Sequence, residues 1–226
     1  MKNHSLTLLA LVISTFSLNG QASSCQPLRV LNRQTLACDT RGCSVIPFTR
    51  NDEEIGCTEN GCALYRLQRS YQVLGCTQTS CAVYTLTRND QQVGCTENSC
   101  DIYRVARGNE ILGCTQTSCS VMRLTRPDQI VGCTASSCDI YRIHSSDEVL
   151  GCTADSCQSY RLTRNDERLG CTASSCALYR VARSDEALGC TSENCDILRF
   201  HRTDEQMACP LWERYGAPTT TSRFFK

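Results

Sequence analysis

Polarity along the chain alternates in short runs, and the runs recur. Asp101-Ile102-Tyr103-Arg104-Val105 is followed by the polar Arg107-Gly108-Asn109-Glu110, then by Ile111-Leu112-Gly113-Cys114-Thr115. Successive side chains of a strand point to opposite faces, so each run reads as a strand with two unlike faces. The connections are of two kinds. One is an Arg-x-Asp turn, with Pro127 in the place of Gly108 one unit later, which suits the second position of a type I turn. The other, Thr-x-x-Ser, sits between paired cysteines. Two strands and two turns per unit predict a β-hairpin repeat.

The unit is 19 residues long, G-C-T-x-x-S-C-x-[VIL]-Y-R-[LV]-x-R-x-D-[EQ]-x-[LV], and it recurs without insertion or deletion. Its first cysteines are Cys38, Cys57, Cys76, Cys95, Cys114, Cys133, Cys152, Cys171 and Cys190. The second cysteines, five residues on, are Cys43, Cys62, Cys81, Cys100, Cys119, Cys138, Cys157, Cys176 and Cys195. Cys209 opens an incomplete tenth copy, and Cys25 lies ahead of the first. So strict a period marks a repeat architecture, in which units pack on their neighbours. The expected divisions are a signal peptide over 1–22, a leader or cap over 23–37, nine repeats over 38–208, and a cap and tail over 209–226.

Register sharpens the fold. Pairing the strands on either side of the Arg-Asp turn opposes Cys100 with Cys114, Ile102 with Leu112 and Arg104 with Glu110. Pairing across the Thr-x-x-Ser turn opposes Cys114 with Cys119, Leu112 with Val121 and Glu110 with Arg123. Both registers fit at once, and together they predict an elongated, coiled antiparallel meander with alternating Arg and Glu or Gln. Tyr103 then lies diagonal to Gly113, an aromatic covering a strand glycine. The alternative, a parallel β-solenoid with one coil per repeat, would stack Arg104 on Arg123 at about 4.8 Å and so set like charges together.

Twenty cysteines in 226 residues, behind an export signal of Lys2 and the apolar run Leu6–Leu18, indicate a disulfide scaffold in an oxidising compartment. The location expected is periplasmic, cell-surface or extracellular. Ala22-Ser23-Ser24-Cys25 resembles the lipobox of bacterial lipoproteins, but without its Leu. No later run is long and apolar enough for a transmembrane segment. As metal ligands, Cys-x4-Cys pairs lack the two-residue gap of zinc sites, and His4, His144 and His201 add no partners. A scheme joining each second cysteine to the next first one, Cys25–Cys38, Cys43–Cys57 and onward to Cys195–Cys209, engages all twenty and strands neither end of a rod. No cofactor is implied.

Formal net charge is zero, with 23 basic and 23 acidic residues, which argues against nucleic acid or an anionic membrane as partner. Nine near-identical copies leave nowhere for a unique acid, base and nucleophile to converge, and no catalytic motif appears, so no enzyme is expected. The candidate binding surface is the aromatic row Tyr65, Tyr84, Tyr103, Tyr141, Tyr160 and Tyr179, whose rings suit sugar stacking. Choline-binding modules are similar in using hairpin repeats of about this length, but their Gly-Trp and Trp-Tyr motifs are missing here. The loops Thr77-Gln78-Thr79 and Thr115-Gln116-Thr117 resemble the Thr rows of insect antifreeze solenoids. The expectation is an exported, non-enzymatic structural or multivalent binding module, with a protein or glycan surface as partner. An ice-binding protein and a secreted inhibitor or effector are the alternatives.

Overall fold

A computed structural model describes residues 24–210. The expected signal peptide and the tail from Leu211 lie outside the described residues. Everything described is strand, turn or loop: twenty strands in antiparallel pairs. Hairpin 1 pairs Gln34–Asp39 with Gly42–Pro47, hairpin 5 pairs Glu110–Cys114 with Cys119–Arg123, and hairpin 9 pairs Glu186–Cys190 with Cys195–Arg199.

Only one of the two expected registers forms. Across the Thr-x-x-Ser turn, Cys114 faces Cys119, Leu112 faces Val121 and Glu110 faces Arg123, as expected. The register across the Arg-Asp turn is absent, so the strands make ten separate two-stranded sheets and no continuous meander. The chain uses the Arg-Asp stretch to step to the next hairpin. Each trailing strand is therefore an edge, and Pro47, which has no N–H to donate, ends the first of them.

The tenth hairpin is assembled from both ends of the chain. Glu205–Ala208 supplies its leading strand and Gln26–Arg29, from the expected leader, its trailing strand, in the register Arg29 to Glu205 and Gln26 to Ala208. This hairpin touches the ninth on one side and the first on the other. The ten hairpins form a closed ring, not an elongated rod. Ala208 confirms the closure: it holds the position of the repeat glycine and is 0% exposed, which an open end would not allow.

Ring closure also explains the disulfides. Nine bridges lie within Cys-x4-Cys pairs, from Cys38–Cys43 to Cys190–Cys195, and the tenth joins Cys25 to Cys209. The expected links between successive units, Cys43–Cys57 and its counterparts, do not form. That scheme assumed the terminal cysteines lie far apart; paired end strands bring their Cα atoms to 4.1 Å. The Cys25 sulfur is thereby bonded to Cys209 and is not free to carry a lipid.

Hairpins stack face on face, and glycine permits it. A methyl placed on Gly56 would lie 2.8 Å from Cys76 Sγ and 2.7 Å from Cys81 Sγ of the next hairpin. One placed on Gly151 would meet Leu169 at 2.8 Å and Cys176 Sγ at 3.0 Å. At the Thr-x-x-Ser turns a single backbone bond links each unit to the next: Glu59 N–H to Gln78 O, Gln78 N–H to Glu97 O, and on to Ala173 N–H to Ser192 O, at 2.8–3.1 Å. Ten units at about 4.8 Å would give this hub circle a radius of only ~8 Å. Leading strands crowd together near the hub, and trailing strands spread apart. Among the described residues no large side chain is fully buried, and the buried apolar set is mainly cysteine with Val30, Ala37 and Ala208. Cross-links stand in for a conventional core, as small core-poor scaffolds require.

Candidate functional site

The Arg-Asp connections form the outer rim of the ring, and their side chains have separate tasks. In seven of the ten hairpins an Asp stands at the start and binds the Arg at the end, fourteen residues later in the six built from one continuous stretch. Asp52 accepts from Arg66 at 2.6 Å, Asp90 from Arg104 at 2.6 Å, Asp128 from Arg142 at 2.8 Å and Asp166 from Arg180 at 2.6 Å. In the tenth hairpin Asp204 pairs with Arg29 across the two chain ends. The guanidinium hydrogen bond holds the carboxyls of Asp90 and Asp166 below the ordinary range. Asp147 falls to about 2, because the Ser145 hydroxyl joins Arg161 in donating to it.

Glu or Gln does not serve chiefly as the partner of a neighbouring Arg. Its side-chain oxygen turns back onto the connection. Glu110 accepts from the backbone N–H groups of Ala106 at 2.9 Å and Arg107 at 3.1 Å. Gln129 accepts from those of Thr125 at 2.7 Å and Arg126 at 3.0 Å. Either side chain offers that carbonyl-type oxygen, which is why Glu and Gln interchange freely. Arg104, expected opposite Glu110, is bonded instead to Asp90.

The other repeated rim cation is the turn arginine, Arg50, Arg69, Arg88, Arg107, Arg126, Arg164, Arg183 and Arg202, beside the isolated Arg33, Arg123 and Arg168. Arg107 and Arg183 approach a Glu only to 3.8 Å, with about three-fifths of the side chain exposed. Arg69 lies over the exposed Tyr71 ring, 5.7 Å from its centroid. Arg50, Arg88, Arg126 and Arg164 have no carboxylate partner among the described residues.

The expected aromatic surface lies elsewhere and is partly covered. Tyr65, Tyr84, Tyr141, Tyr160 and Tyr179 place a ring edge 2.9 Å from where a methyl would stand on Gly56, Gly75, Gly132, Gly151 and Gly170. Each glycine belongs to the ring's own hairpin, diagonal to it, so the aromatic-over-glycine contact forms across the realised register. Tyr103 is accordingly diagonal to Gly94 and not to Gly113. Burial raises the Tyr141 hydroxyl, and Asp139 nearby adds to it. The turn threonines close their own loops: Thr77 Oγ1 donates to Ser80 O at 3.0 Å and accepts from Ser80 N–H at 3.0 Å.

The trailing strands expose an aliphatic row, Ile102, Val121, Ile140, Leu178 and Ile197, each between 36% and 39% accessible. A cleft of about 710 Å³ opens between hairpins 8 and 9, lined by Asp166, Arg168, Leu169, Val181, Arg183 and Ala187 among others. Ala187 widens it; the matching residues elsewhere include Ile111, Ile130 and Val149. Charge is also divided, although the total is neutral. The hub turns and flanking positions carry Asp39, Glu59, Glu97, Asp101, Asp139, Asp155, Glu193 and Asp196, against Arg41 alone. Every other arginine lies outward of them.

Sequence reading missed the Asp–Arg pair, yet a signal was present. Where the Asp is replaced, by Arg33 or Tyr71, the Arg fourteen residues later is also replaced, by Pro47 or Thr85. Hairpin 5 departs from this, with Asn109 donating to the Leu124 carbonyl and Arg123 retained.

These features define a class: a disulfide-locked ring of two-stranded hairpins with one charged turn per unit at its rim. No protein-family model matches the chain, and no curated protein or solved structure shows significant similarity to it. Among the described residues no helix is long and apolar enough to cross a membrane.

Proposed function

We propose that the chain is an exported, non-enzymatic scaffold that binds a macromolecular surface through many equivalent weak contacts. One observation carries this reading: the same exposed groups recur around a covalently closed ring, the turn arginine in eight of its ten connections, so they are held at fixed spacing and orientation. Repeated contacts on a rigid frame raise overall affinity by making the second and later contacts intramolecular. Ten disulfides favour an oxidising compartment, in keeping with the export signal. The hydroxyl of the first threonine of each Thr-x-x-Ser loop is engaged within that loop, and the exposed second threonines, Thr79 and Thr117, occur in only two loops and make no row, which gives an ice-binding reading no support.

The test is an array of glycans and envelope proteins probed with the folded, oxidised protein and with an opened variant, Cys25→Ser/Cys209→Ser. A scaffold retains a ligand that the opened or reduced chain holds at least tenfold more weakly. Equal binding by the folded and the fully reduced chain would remove the reading.

A further inference from the structure

The rim engages its carboxylates closely and its turn guanidiniums loosely or not at all. Arg107, Arg183 and Arg202 come only to 3.8–3.9 Å of a carboxylate, Arg69 contacts Tyr71, and Arg50, Arg88, Arg126 and Arg164 have no carboxylate partner among the described residues. In each regular unit the Asp is bonded to the strand-end Arg and the Glu or Gln to backbone N–H groups, as with Asp90 and Gln91. The turn arginine is left as the group with unused donors, and it stands in eight of the ten connections. Every Lys or Arg position among residues 24–210 is an arginine. A guanidinium presents a planar fork of donors that matches sulfate and carboxylate, whereas an ammonium is a point charge. The acidic hub repels a polyanion and so directs it to the rim. Arg168 and Arg183 both line the cleft between hairpins 8 and 9.

We infer that the turn arginines form a circular binding surface for an anionic polysaccharide, one bearing sulfate or uronate groups. This rests on the scaffold reading above and names its ligand class. The repeated, well-separated cations suit a long flexible chain with regularly spaced anions, each contact weak and the sum strong. Nucleic acid fits less well, since the strand tyrosines lie over glycines and offer no stacking platform. An anionic membrane fits less well too, since the exposed apolar side chains near the turns, Leu31, Tyr71, Ile111 and Ile130, occur in only four of the ten units, and the longer aliphatic row lies on the trailing strands.

The experiment measures binding of the oxidised protein to heparin (sulfated), alginate (carboxylated), single-stranded DNA and phosphatidylglycerol vesicles between about 50 and about 200 mM salt. Three proteins are compared: the native chain, the turn variant R88Q/R126Q/R164Q, and the strand-end variant R104Q/R142Q/R180Q. Each is first shown to be folded by circular dichroism, with single Arg→Gln variants replacing any triple that is not. The inference expects heparin or alginate to bind best, with the logarithm of the affinity falling linearly with the logarithm of salt concentration. The turn variant should lose at least tenfold in affinity and flatten that slope by roughly one unit per arginine removed. The strand-end variant should keep the native slope, its arginines being already neutralised by Asp. No binding to either glycan, an unchanged turn variant, or tighter binding of DNA or vesicles each overturns the inference. A ring-dependent ligand found on the array while both glycans fail would leave the scaffold reading standing and remove only this one.

Discussion

Removing the bridge that closes the ring should cost far more than removing any other. In the chain-entropy account, a cross-link stabilises by restricting the unfolded chain, and the effect grows with the logarithm of the loop. Cys25 and Cys209 are separated by 184 residues, while each local pair is separated by 5. The same expression gives about 5 kcal/mol for the long loop and about 2 kcal/mol for the short ones. The nine local bridges short-circuit four residues each, which lowers the long-loop value by only ~0.2 kcal/mol. Cys25→Ser/Cys209→Ser is therefore compared with Cys114→Ser/Cys119→Ser. Both are unfolded in guanidinium chloride without reductant, with the remaining nine disulfides verified intact. The closure variant should lose about 3 kcal/mol more than the local variant. It should also unfold less cooperatively, because hairpins 1 and 10 become free ends. Equal losses would refute the reasoning, since they would mean that the end strands constrain nothing beyond their own hairpin.

Three further outcomes follow from the packing and the rim. Gly132→Ala drives a methyl to 2.7 Å from Leu150 and 2.9 Å from Tyr141 and should cost about 1–3 kcal/mol by denaturation. Gly108→Ala, with nothing within 4 Å, should be neutral or gain up to about 1 kcal/mol. Glu110→Gln keeps the acceptor for the Ala106 and Arg107 N–H groups and should change stability little, whereas Glu110→Ala should cost about 1 kcal/mol; equal effects would discount the capping role. Acid should weaken the ring at low pH. The hydrogen bond from its Arg holds each carboxyl of Asp52, Asp90, Asp128, Asp166, Asp185 and Asp204 below the ordinary carboxylate range, and Ser145 with Arg161 lowers Asp147 to about 2. Depressed carboxyls contribute fully above about pH 4 and lose that contribution as pH falls towards 2, so the denaturation midpoint should be flat from pH 7 to 5 and drop below 4. A midpoint that declines instead between pH 7 and 5 would contradict this assignment.

The hairpin repeat and one strand register were legible because each reads from a single period-two pattern. Cys114 opposite Cys119 brings Leu112 to Val121 and Glu110 to Arg123 automatically. The competing register through the Arg-Asp turn was equally good on paper. Residue pairing alone did not reveal that Asp90 and Gln91 are occupied by Arg104 and by the turn backbone, which breaks the ladder there. Ring closure was hidden for a different reason. It depends on the angle between successive hairpins, set by how closely a glycine admits the next disulfide, and no local pattern encodes that sum. The two ends of the chain did carry a trace of it: Cys25-Gln26-Pro27-Leu28-Arg29 matches the trailing half of the unit and Glu205-Gln206-Met207-Ala208-Cys209 the leading half. Together they complete one repeat. The charge division was likewise invisible in a net charge of zero, because hub and rim alternate along the sequence and separate only in space.

A tryptic map under non-reducing conditions tests ring closure most directly. Trypsin cuts after Arg69, Arg88, Arg107 and their counterparts, so each peptide, such as 70–88 or 89–104, holds a single Cys-x4-Cys pair. The closed ring predicts that these peptides run alone, two mass units light. Only two cross-linked species should appear. One is Cys38 with Cys43, severed at Arg41, and the other is the peptide of Cys25 with that of Cys209. A ladder joining 70–88 to 89–104 through Cys81 and Cys95, or a Cys25 peptide bound to that of Cys38, would contradict the ring.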